Sequence, residues 1–206
     1  MPLTKVKLVA PTAALGLLIL AGCGSSANDH DVDSIPSPAA SSTTHATAAA
    51  TPASGPHNEA DVMFASMMIP HHNQAIEMSD MLLAKSDLDP TVTALAQRIK
   101  AAQGPEVAQL SGWLVGWGED PTAGGMHHGG DDGMLSQAEM DALKNATGAE
   151  ATKLFLDGMI KHHMGAIAMA ETELEQGTNP DAKKLAQAII DTQEAEIIEM
   201  KKLGGA

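Results

Sequence analysis

A chain of 206 residues with 26 acidic against 12 basic side chains has a formal net charge of −14. That balance speaks against nucleic-acid binding, because phosphate contacts need clustered Lys and Arg, and it favours local enrichment of cations. One cysteine excludes an internal disulfide, and two Phe, two Trp and no Tyr leave Met, Leu, Ile and Ala to fill a core.

Residues 1–22 read as a secretory signal: Lys5 and Lys7, an apolar run from Leu8 to Leu20, then small residues before Cys23. The run is shorter than the about 20 apolar residues a membrane-spanning helix needs. Leu20-Ala21-Gly22-Cys23 resembles the lipobox of bacterial lipoproteins. It implies lipidation of Cys23 and a protein anchored to the cell membrane on its extracytoplasmic side. The mature chain would then have no thiol to offer a metal. Residues 23–57 hold the lipidated cysteine and a Ser-, Thr-, Ala- and Pro-rich segment that cannot bury enough surface to order itself. It is expected to be a disordered tether, with His30, His45 and His57 incidental to it.

The folded domain is expected over 58–206. Asn58 stands where an N-cap belongs. Phe64, Met68, His71, Ala75, Met78 and Leu82 then follow at alternating spacings of four and three, one face of a helix. Ala65, Ile69, His72, Ile76 and Leu83 form the adjoining row, so both histidines point inward. Pro70 removes one backbone hydrogen bond and is expected to kink this helix. Asp89-Pro90 and Asn179-Pro180 each set a capping residue before proline and mark two more helix starts. The helix after Pro90 carries Val92, Leu95, Ile99, Ala102, Glu106, Leu110 and Trp113, with a bend expected at Gly104-Pro105. A loop rich in Gly, Asp and His covers 119–134. Ser136-x-x-Glu139 and Thr147-x-x-Glu150 have capping-box spacing. They predict a short helix over 136–145 and a long one from 149, which Gly177 ends. The last helix carries Leu185, Ile189, Gln193, Glu196, Met200 and Leu203. No segment alternates as a strand would, so the class is all-α, an antiparallel four-helix bundle.

The bundle is read as a duplicated helical hairpin. Residues 64–78 and 155–169, 91 apart, share eight of fifteen positions, among them His71-His72 and His162-His163. Pro90, Leu95, Ala96, Gln97, Ile99, Gln103 and Glu106 recur 90 residues on as Pro180, Leu185, Ala186, Gln187, Ile189, Gln193 and Glu196. The halves are 58–116 and 149–204.

On a helix Met67 can approach His71 and Met68 can approach His72, while Met159 lies three and four residues before His162 and His163. Adjacent histidines diverge by about 100° around the axis, so donors from facing helices are expected to complete any site. Thioether and imidazole without thiolate favour a soft ion such as Cu(I) or Ag(I). Met78, Met164 and Met169 complete the methionines of the candidate set, although methionine is also an ordinary core filler. Glu106 and Glu196, with Gln103 and Gln193 one turn earlier, could orient the imidazoles or bind the ion. Met126, His127 and His128 offer a possible capture site in the loop.

The pattern Phe-x-x-x-Met-Ile-x-His-His-x-x-Ala-Ile-x-Met, followed by a helix with Gln-x-x-Glu, resembles the bacterial domain of unknown function 305 family over 58–204. The resemblance implies a ferritin-like four-helix bundle, often exported, with some members linked to copper and silver. It carries over to Met68, His71, His72, Met78, Met159, His162, His163 and Met169. Pro105 and Gly158 depart from it in backbone character.

The expected function is thus a membrane-anchored lipoprotein that sequesters or transfers Cu(I) or Ag(I), more a binder than an enzyme. One alternative is a di-metal oxidase, but such bundles use Glu-x-x-His, and no histidine here follows a glutamate at that spacing. Another is a stress or structural lipoprotein whose histidines serve packing or pH sensing.

Overall fold

The computed structural model describes residues 55–122 and 132–204. These residues form five helices: α1 (Glu59–Leu83), α2 (Pro90–Trp117), α3 (Gln137–Asn145), α4 (Gly148–Gln176) and α5 (Pro180–Leu203). Among the described residues there is no strand, and four of the helices are long. A four-helix bundle fits them, with α1 packed on α2 and α4, α4 on α5, and the short α3 against α1 and α4.

Local chemistry sets the helix starts. Asn58 caps α1 through the Asp61 N–H, and Asp61 returns a bond to the Asn58 N–H, a reciprocal box. Asp89 and Asn179 cap α2 and α5 with proline at the first helical position, and Ser136 closes the predicted box with Glu139 on α3. The second predicted box does not form. Thr147 sits at the N-cap of α4 with no side-chain hydrogen bond, because Gly148 at φ +55° carries the chain into the helix by another route. Gly177 ends α4 with an extended backbone rather than a left-handed one. Both α1 and α2 remain continuous helices through Pro70 and Pro105.

Two apolar clusters fill the interior. One gathers Met78, Leu82, Leu95, Ile99, Leu143, Phe155, Met159 and Met200; the other gathers Phe64, Met68, Leu110, Trp113, Ala166, Leu185 and Ile189. Helices α1 and α5 run from the second cluster to the first, and α2 and α4 run the other way. Each fully buried Leu, Phe or Met side chain contributes about 1.5–3 kcal/mol. Among the described residues no helix is long and apolar enough to cross a membrane. His57 stacks on Trp117 with ring centroids 4.7 Å apart.

Candidate metal centre

His71 and His72 lie where α1 passes between the two clusters, and His162 and His163 lie at the corresponding place on α4. The stripes that bury Met68 and Ala75, and Met159 and Ala166, also bury these rings, leaving each at most 1 % exposed. Imidazoles in an apolar interior need hydrogen-bond partners. Each has one at Nε2. His72 bonds Glu106 Oε2 and His163 bonds Glu196 Oε2, both at 2.7 Å. His71 bonds the Asp132 carbonyl, and His162 bonds the carbonyl of His71, both at 2.9 Å.

These bonds fix the tautomers. Carbonyl and carboxylate oxygens only accept, so each Nε2 carries the hydrogen and donates it. In a neutral ring the lone pair is then left on Nδ1. None of the four buried Nδ1 atoms meets a hydrogen-bond partner. An imidazole anchored through one N–H with its other nitrogen bare is the usual arrangement of a metal-ligating histidine. The rings of His71 and His162 face each other with centroids 3.7 Å apart, and those of His162 and His163 lie 6.4 Å apart.

Burial pushes His71 down to about 4, the bond to Asp132 opposing it and neighbouring His72 adding to it. Burial, then the facing His71, push His162 well below its ordinary value. Both rings are therefore neutral at pH 7. Below pH 6.5 the unfolded chain binds protons that folded His71 refuses, so stability is full above 6.5 and falls towards pH 4. At 1.36 kcal/mol for each pKa unit, the loss from His71 is about 3 kcal/mol. Urea unfolding of metal-free protein between pH 4 and 7 should show this slope, reduced in His71→Gln.

Among the described residues no three His, Cys, Asp or Glu side chains gather as a ligand group. Bare imidazole nitrogens suit a soft or borderline ion, whereas calcium or magnesium would demand a cage of oxygens.

The other candidates divide. Met68, Met78 and Met159 are wholly buried in the two clusters. Met67 and Met169 instead line a groove between α1 and α4, and Met164 is 59 % exposed. Gln103 and Gln193 are buried, and the Gln103 amide and Gln193 Oε1 find no hydrogen-bond partner. Cys23, Met126, His127 and His128 lie outside the described residues.

One contributor had no signal in the sequence. The segment 132–135 crosses the histidine layer, supplying the carbonyl that His71 bonds. Gln74 holds it at two points, its amide donating to the Leu135 carbonyl at 2.9 Å and accepting from the Leu135 N–H at 2.7 Å. On α4 the segment lies against Gly165, where an added Cβ would stand 1.7 Å from the Asp132 carbonyl oxygen. Gln74 and Gly165 are repeat-related positions. One holds the segment by bonding it, the other by leaving room.

Fold and centre together define a helical bundle with a histidine layer across its middle. The chain belongs to the DUF305 family, a domain of unknown function, whose profile matches residues 61–204. A crystallised DUF305 fragment from Deinococcus radiodurans is 32 % identical, with TM-score 0.66 over 73 % of this chain and 99 % of that one. A DUF305 protein from Streptomyces coelicolor is 35 % identical, with TM-score 0.65 over 70 % of this chain and 89 % of that one. CopM in its Cu(I)-bound form is 31 % identical, with TM-score 0.59 over 69 % of this chain and 94 % of that one. No curated protein matches the chain.

Proposed function

We propose that this protein is an extracytoplasmic lipoprotein, anchored through Cys23, that sequesters or transfers Cu(I) or Ag(I) through His71, His72, His162 and His163. Buried methionines stand near them along the helices, with Met68 one turn before His72 and Met159 one turn before His163. The observation that carries the proposal is the set of four buried, unpartnered Nδ1 atoms, each on a ring secured through Nε2. Glu106 and Glu196 act in this reading by orienting His72 and His163 and raising the basicity of their free nitrogens. Support for the ion comes from CopM, which was crystallised in Cu(I)-, Cu(II)- and Ag-bound forms. Support for the location comes from the lipobox-like Leu20–Cys23 and from the Streptomyces coelicolor relative, which is named as a secreted protein.

The bundle, in this reading, is an antiparallel pair of duplicated hairpins. The matching His72–Glu106 and His163–Glu196 bonds support it, as does the alternating order in which the four long helices visit the two clusters.

Titration of folded protein with Cu(I) against a competing chelator, with Zn(II) as control, tests the function. Replacing all four histidines by glutamine should lower Cu(I) affinity by more than about a hundredfold. Should that variant keep its fold by circular dichroism together with wild-type Cu(I) affinity and stoichiometry, the proposal fails.

A further inference from the structure

Between the first turns of α1 and the last turns of α4 lies a groove of about 480 Å³. Met63 and Met67, one turn apart on α1, line it from one side, and Met169 lines it from α4. Phe64 and Glu173 line it too, with Glu59 from the first turn of α1. Methionine usually fills gaps in a core. Met63 fills none, being 53 % exposed. A single exposed methionine needs no explanation, but three thioethers lining one cavity do.

Glu173 is 1 % exposed, and apart from the neighbouring Asp61 carboxyl neither of its oxygens meets a partner. Asp61 stands beside it, itself engaged by the Asn58, Thr178 and Asn179 backbone. Burial, then a hydrogen bond to Asp61 and the Asp61 charge, push the Glu173 carboxyl up to about 8, with Lys183 opposing. An acid kept in such a place gives no packing benefit that Leu or Gln would not give better.

The repeat sharpens the point. The positions matching Met63, Met67, Met169 and Glu173 are Leu154, Gly158, Met78 and Leu82. There the space is closed: Leu135 lies where a Gly158 Cβ would stand, 2.9 Å from it, with Met78 beside it and Leu82 fully buried. One half is thus a filled core, while the other sets Met63, Met67 and Glu173 where it has Leu154, Gly158 and Leu82, and stays open.

We propose that this groove is a second binding site for a soft monovalent cation, held by the thioethers of Met63, Met67 and Met169 with the carboxylate of Glu173. Thioether sulfur selects Cu(I) or Ag(I) over calcium, magnesium or zinc, and Glu173 gives up its proton as the ion binds, so that the resulting carboxylate balances the charge. The site rests on the proposed function only for the identity of the ion; its donors are separate from the imidazoles.

The test uses Ag(I) as a redox-inert probe on the full chain, with methyl-labelled methionine for NMR. Wild-type protein should show the Met63, Met67 and Met169 methyl resonances shifting on addition of Ag(I). A Met63→Leu, Met67→Leu, Met169→Leu variant, which keeps side-chain volume, should bind one equivalent less. Glu173→Gln should weaken that equivalent about tenfold. The proposal is overturned if the three resonances stay unmoved at saturation, or if the leucine variant keeps wild-type stoichiometry. Loss of the histidine-bound equivalent in the four-histidine variant with these shifts retained supports both sites. Shifts that persist while the histidine variant binds as wild type would sink only the histidine centre.

Discussion

Asp61→Ala is expected to be among the most damaging single substitutions in this protein, costing about 4 kcal/mol of stability. Asp61 is fully buried, yet its carboxylate is held in ionised form by what surrounds it. Burial alone would raise its pKa, but hydrogen bonds from Asn179, Asn58 and Thr178 outweigh that and hold it below its ordinary value. It accepts from the Asn58 N–H at 2.6 Å, the Asn179 N–H at 2.9 Å and the Thr178 N–H and hydroxyl at 3.1 Å. One side chain therefore caps α1 and pins the turn between α4 and α5 to it. Removing it takes an acceptor from three backbone N–H groups, of which that of Asn179 is buried and those of Asn58 and Thr178 are partly so, and a buried donor that loses its acceptor costs about 1–3 kcal/mol. Urea unfolding at pH 7 would measure the loss, and Asp61→Asn should recover part of it because the amide oxygen can still accept. A further readout is Glu173. With the neighbouring charge gone it should titrate below about 8, closer to an ordinary carboxyl. An Asp61→Ala variant as stable as wild type would mean that this clasp contributes nothing.

Gly165→Ala is expected to cost about 3–5 kcal/mol, because a Cβ at that position cannot coexist with the segment 132–135. The new carbon would stand 1.7 Å from the Asp132 carbonyl oxygen and 2.8 Å from the Gly133 nitrogen, contacts with backbone that no rotamer change relieves. The segment must lift. His71 then loses its Nε2 partner, Gln74 loses both bonds to Leu135, and the buried Leu135 side chain returns to water. The last term alone is worth about 2 kcal/mol. Hydrogen exchange at the Leu135 amide should accelerate steeply in Gly165→Ala, and unfolding should occur at lower urea. The control is Gly104→Ala, where a Cβ meets nothing and a helix interior gains from the change. Unchanged protection at Leu135 in the Gly165 variant would show that the close approach carries no weight.

These two sites mark where the sequence could be read and where it could not. Asn58, Asp89-Pro90, Asn179-Pro180 and Ser136-x-x-Glu139 announce helix starts because capping chemistry acts within three or four residues. Thr147-x-x-Glu150 has the same spacing and fails, because the left-handed Gly148 alters the entry of the chain. The inward rows of α1 and α4 followed from periodicity, which is why the burial of all four histidines was legible. The role of Asp61 was half visible as the third residue after Asn58. Its bonds to Thr178 and Asn179 join residues 117 and 118 positions apart, and no local pattern encodes them. The crossing of α4 by residues 132–135 was equally hidden, since Gly165 reads as an ordinary small residue until its neighbour is known. Met67, Met68 and Met169 looked alike as sulfur beside histidine. Packing separates them, Met68 to the interior and the other two to the groove.

The near-complete closure of the histidine layer has a kinetic consequence. In the proposed function, an ion held by those histidines would lie out of reach of water and of small competing ligands, and would leave only when the backbone opens around it. Its residence time would then be set by breathing of the helices and of the segment 132–135 over His71, so copper and silver should leave at similar rates.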